Sequence, residues 1–149
     1  TEAIAVARES ECKSYLAAGL AALARAERHL GDLTQALAQA AEAVRISREV
    51  APPDHEMWSE MEVGLALVAR GEPEAALEHT EHAVSLAPRG GESWIGTEQV
   101  HRAHARVLRS LGPTIQAAEH ERAADAIMNA KAERIPDPRQ RRRFLQAAQ

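Results

Sequence analysis

With 149 residues and a single cysteine, Cys12, the chain is the size of one domain or of three to four helical repeats, and it cannot form an intramolecular disulfide. Its net charge of −4 argues against general nucleic-acid binding, and no apolar run approaches the roughly 20 residues of a membrane span. Helix formers dominate and only Tyr15, Trp58, Trp94 and Phe144 are aromatic, which favours an all-α fold.

Residues 1–10 read as the second helix of a truncated repeat, so the chain is expected to be a piece of a larger protein. A long helix is predicted from about Cys12 to Leu30, with Tyr15, Leu16, Leu20, Leu23 and Leu30 recurring at helical spacing. Gly31-Asp32 breaks it, and a second helix follows from about Leu33 to Val50, burying Leu33, Ala36, Leu37, Ala40, Val44 and Ile46. Pro52-Pro53-Asp54 forms a linker, because proline disfavours helical geometry in the residue before it. The next pair runs from about His55 to Ala69 and from Pro73 to Ala87, split at Gly71 and closed by Pro88-Arg89-Gly90-Gly91. A third pair spans about Glu92–Leu111 and Pro113–Glu133, split at Gly112. Ile135-Pro136-Asp137-Pro138 ends the array, and a last helix covers about Arg139–Ala148. The boundaries are therefore 1–10, then repeats at 11–50, 51–89 and 90–134, then a terminal capping helix at 135–149.

The glycines Gly31, Gly71 and Gly112 are 40 and 41 residues apart. Five residues after each comes an alanine (Ala36, Ala76, Ala117), and seven further on a second (Ala43, Ala83, Ala124). Seven residues before each glycine sits another small residue: Ala24, Gly64 and Ala105. Closely crossing helices need side chains no larger than a methyl at the contact, and a period of this length marks a solenoid.

These residues resemble the tetratricopeptide repeat family, which carries small residues at these three places, with Pro88 matching its closing proline. The resemblance covers about residues 11–134 and implies a right-handed α-solenoid of three helix pairs with one extra helix at each end. The aromatic positions of the family depart: Leu20, Glu60 and His101 stand at the first, and Glu27, Leu67 and Leu108 at the second. The long period, and the segment from Ala132 to Arg139 running into Arg143-Phe144-Leu145, look like arrays of bacterial signalling ATPases, adenylate cyclases and transcription regulators.

In that resemblance the first helix of each pair lines a concave groove. Arg102, Arg106 and Arg109 then form one stripe, Arg25, Arg28 and His29 lie at comparable phases, and the middle pair offers Trp58, Met61 and Leu65. Basic ends around an apolar middle suit a protein or peptide partner with carboxylates beside a hydrophobic anchor. The alternative is that the arginines pair with glutamates of the neighbouring outer helix and stay solvated. No asparagine accompanies them as the family's chaperone-tail clamps require.

His79 and His82, like His101 and His104, are three apart and share a helical face, but neither pair has a third and fourth ligand at a recognisable distance. No metal or cofactor is expected. His101 and His104 fall at helix-packing phases, where lowered pKa values are expected. The chain shows no phosphate-cradling loop, nucleophile elbow or metalloprotease helix, so catalysis is not expected. Arg141, Arg142 and Arg143 beside Phe144 and Leu145 read as a cap over the last repeat rather than a nucleic-acid or membrane contact. The expected function is protein binding by a module of a cytoplasmic bacterial regulator. The alternatives are ligand sensing for an attached ATPase or DNA-binding module, and self-association through the solenoid ends.

Overall fold

The computed structural model describes residues 2–50, 52–87 and 96–147. Among them the elements are α1 (Glu2–Leu30), α2 (Leu33–Val50), α3 (Pro53–Arg70), α4 (Pro73–Leu86), α5 (Thr97–Leu111), α6 (Ile115–Glu133) and α7 (Pro138–Ala147), with no strand. The expected junction near residue 10 is absent: α1 runs unbroken from Glu2. Nothing between Thr1 and Ala18 supplies the glycine or proline that stops helices elsewhere in this chain, and Gly19 lies within the helix without ending it. Pro88, Gly90, Gly91, Trp94 and Ala148 lie outside the described residues.

At the turn between α3 and α4, Gly71 takes a left-handed φ of 86°, and its N–H closes on the last carbonyls of α3. A residue with a Cβ is strained in that conformation, which is why the periodic glycine marks the corner. Pro73 follows within the first turn of α4, where its missing N–H has no helical partner to lose. Thr114 caps α6 directly, its hydroxyl accepting from the Ala117 N–H at 3.1 Å.

The first helices form one layer, α1 against α3 and α3 against α5, while α2, α4 and α6 each cover their own pair. Helices α2 and α4 also pack on the next first helix, and among the described residues no second helix touches another. Alanines make the close approaches. Ala17, Ala21 and Ala24 of α1 are buried, as are Ala36, Ala40 and Ala43 of α2. At the α3–α4 crossing even a methyl is too large: a Cβ on Gly64 would stand 2.4 Å from Thr80 Cγ2. One core cluster joins Ala24, Ala40, Val44, Val63, Leu67, Ala76 and Val107, so all three pairs share it. A second joins Met57, Met61, Ala83, Val100 and Ala103.

The leucine periodicity of α1 marks its outer face and not its core. Tyr15 is 77% exposed and Leu30 85%, with Leu16 and Leu23 also exposed. Their side chains point away from α2 and α3, the two helices that α1 touches. On α7 no residue is fully buried. Phe144 and Leu145 are half-buried, the helix touches α6 alone, and Arg141 is anchored by hydrogen bonds to the Ile135 carbonyl.

Candidate partner-binding groove

The stripe of arginines on α5 lines a cavity of about 540 Å³, whose other walls are Ser110, Glu121 and Asp125. Arg109 is hydrogen-bonded to Glu121, and Arg102 meets Asp125 at 3.5 Å. Both carboxylates lie on α6, the second helix of the same pair, so these two arginines do what the solvated-face alternative describes. Arg106 sits between them, exposed and with no partner among the described residues. Among the described residues that line the cavity, three guanidiniums face two carboxylates.

The arginines of α1 are placed differently. Glu62 of α3 is buried with 1% of its side chain exposed, and it draws in both Arg25 and Arg28 at 3.2 Å. Arg25 also donates to Gln99 on α5 at 2.8 Å, so its side chain reaches across α3 from the first pair to the third. Arg28 is largely buried with its carboxylate and ties α1 to α3. His29 is exposed. In the middle of the expected groove, Met61 is 2% exposed and packed against Ala83, Val100 and Ala103, because α5 lies over it. It belongs to the core. Trp58 and Leu65 are half-buried against the same cluster. Of the residues expected to line the groove, the structure thus brings together Arg102, Arg106 and Arg109, and it places neither Trp58 nor Leu65 in that cavity's lining.

Two polar networks stand behind this surface. Glu60 of α3 is 1% exposed, accepting from Arg48 of α2 at 2.6 Å and pairing with His79 of α4, also at 2.6 Å. One turn earlier Glu56 pairs with the same arginine at 3.0 Å and with His82 at 2.9 Å. Burial alone would raise the Glu56 carboxyl, but the hydrogen bonds from His82 and Arg48 outweigh it and hold it below the usual carboxylate range. Sequence inspection of the histidines missed both glutamates, which come from the preceding helix. Their signal was the four-residue spacing of Glu56 and Glu60, matching the three-residue spacing of His79 and His82.

The other network is the histidine stack of the third pair. His101 and His120 meet through their Nδ1 atoms at 2.9 Å with stacked rings, and His104 stands edge-on to His120 at 4.5 Å. Thr80 Oγ1 donates to the Ala76 carbonyl, which leaves its lone pair for the Nδ1–H of His104 at 2.9 Å. Burial, then repulsion from His120 and His101, pushes His104 down to about 4. Burial and His120 lower His101 as well. The lowered values expected of these two histidines are found.

Helix pairs stacked so that successive first helices pack on one another define an α-solenoid scaffold. A model of the tetratricopeptide repeat family matches residues 15–89, half of the chain, and the chain belongs to that family. The third pair, α5 and α6, lies beyond the match and repeats the same arrangement. Neither a curated protein nor a solved structure gives a significant match. Repeats of this family generally mediate protein–protein interaction. No helix among the described residues is long and apolar enough to cross a membrane.

Proposed function

We propose that the chain is a protein-interaction module whose α5 cleft captures an acidic segment of a partner protein. The observation that carries this is Arg106, exposed and without a partner among the described residues, between Arg102 and Arg109, which pair at the surface with the exposed Asp125 and the half-buried Glu121. Exposed ion pairs are worth about 0–1 kcal/mol each, so a partner's carboxylates can replace Asp125 and Glu121 at little cost. A bidentate carboxylate on Arg106 adds directional hydrogen bonding, and the half-buried Trp58 and Leu65 supply apolar contact to one side.

The long repeat and the closing segment support placing the module in a cytoplasmic bacterial signalling or transcription regulator. Binding at the cleft would there report to an attached ATPase or DNA-binding module. Titration of labelled acidic peptides followed by fluorescence anisotropy tests the cleft. Arg102→Glu with Arg106→Glu is expected to abolish binding, and rising salt to weaken binding to the unaltered protein. Equal affinity in the double variant overturns the proposal. A second surface, the exposed Tyr15, Leu16, Leu23 and Leu30 of α1, supports self-association through that end of the solenoid. Light scattering of Leu16→Glu with Leu23→Glu against the parent chain checks it. An unchanged mass sinks it.

A further inference from the structure

Glu56, Glu60 and His82 each offer a ligand atom, and the three atoms lie within 4.8 Å of one another. We infer that they form a site for a first-row divalent cation of the zinc type, in which the metal exchanges with the Arg48 guanidinium. The donor set fits that ion: imidazole nitrogen and carboxylate oxygen suit zinc, and three protein ligands leave a fourth position for water. Two carboxylates with a neutral imidazole also balance a dication.

Each ligand is held from a rigid element. Glu56 and Glu60 are one turn apart on α3, and His82 faces them from α4. His82 Nε2 points at Glu56 Oε1 from 2.9 Å. Across a tetrahedral zinc with ligand bonds of about 2.0–2.2 Å, nitrogen and oxygen stand roughly 3.4 Å apart. Opening the pair by about half an ångström therefore admits the ion, with the His82 proton carried on Nδ1. His79 grips the second oxygen of Glu60 at 2.6 Å and so orients that carboxylate, as outer partners of metal ligands commonly do.

The resident cation is Arg48, which contacts Oε1 of both glutamates at 3.0 and 2.6 Å. Its side chain is 56% exposed, so it swings into water without leaving a buried hole. The way in is a cavity of about 420 Å³ whose lining includes Glu78 and Glu81, a negative approach for a cation. Occupancy would tie α4 to α3 through charge at the place where Arg48 now ties α3 to α2.

The test is equilibrium dialysis with Zn2+, together with the visible spectrum of the protein loaded with Co2+, on the whole chain. The parent protein is expected to take up one ion per chain with a tetrahedral Co2+ spectrum. His82→Gln should weaken uptake by more than about tenfold and His79→Gln by about tenfold. Arg48→Gln should tighten it by removing the competitor. Both histidines are over a third exposed, so these variants should fold, and Arg48→Gln tests the site independently of either. His120→Gln, in the separate histidine stack, should bind like the parent. No uptake by the parent protein, equal uptake by His82→Gln, or loss of uptake in His120→Gln overturns the site.

Discussion

The second and third helix pairs have the same register and opposite surfaces. Counting back from their turn glycines, Met61, Leu65 and Val68 of α3 correspond to Arg102, Arg106 and Arg109 of α5. On α3 these positions face a neighbour, because α1 and α5 pack on either side of it. On α5 the only first helix in contact is α3, and the same positions look into an open cleft. A repeat therefore does not fix exposure by register alone. It fixes direction, and the next helix decides whether that direction meets water or core. The α1 leucines make the same point at the other end of the array, apolar by pattern and exposed for want of a neighbour.

The contrast is sharpest at Glu62, which the inner pair buries against two arginines. Glu62→Ala should cost about 3 kcal/mol by leaving Arg28 without its counter-charge, as read from urea unfolding. A loss below about 1 kcal/mol would show that the inner pair is as solvated as the α5 cleft. Next comes the crossing at Gly64. Gly64→Ala gains about 1 kcal/mol of helix propensity yet should lose about 2 kcal/mol net from overpacking against Thr80. Adding Thr80→Ser removes the clashing methyl, keeps the hydroxyl that meets His104, and should restore most of that stability. The equivalent substitution at Ala105 is not available for comparison, since that position already carries a methyl.

The third pair should be the pH-sensitive one. His104 titrates at about 4 in the folded chain against an ordinary 6.5, so the unfolded chain takes up the proton first as pH falls. Stability present above about pH 6.5 is then lost towards pH 4, at a slope approaching 1.4 kcal/mol per pH unit for one proton. Thermal unfolding against pH should show this slope, and His104→Gln should flatten it. A smaller effect is expected of Thr114→Ala, about 1 kcal/mol from loss of the α6 cap. In the second pair no side chain caps α4, and Glu72→Ala should change unfolding by less than about 0.5 kcal/mol.

Much of the scaffold was legible because its signals are local. The turn at Gly71 and the span Leu33–Val50 follow from backbone chemistry that neighbouring residues decide. The boundaries of α3, α4, α6 and α7 shift by only a residue or two, whereas α5 begins at Thr97 and not near Glu92. The small residues at Ala24, Gly64 and Ala105 were legible for a related reason: close crossing leaves no room for anything else. The long α1 was misdivided, since a family pattern was imposed on residues 1–18, which contain no breaker.

The candidate sites were less legible because they depend on distance between helices. Nothing in the spacing of Arg25 and Arg28 shows that Glu62 lies across from them, or that His82 meets Glu56 and Glu60. The sequence determined an α-solenoid of paired helices, its turns and its register, all set by short-range sterics and a repeating period. Only the tertiary structure decided which charges are neutralised, because pairing depends on what another helix brings within about 4 Å. Among the described residues it left Arg106 without a partner, and it placed a histidine beside two glutamates.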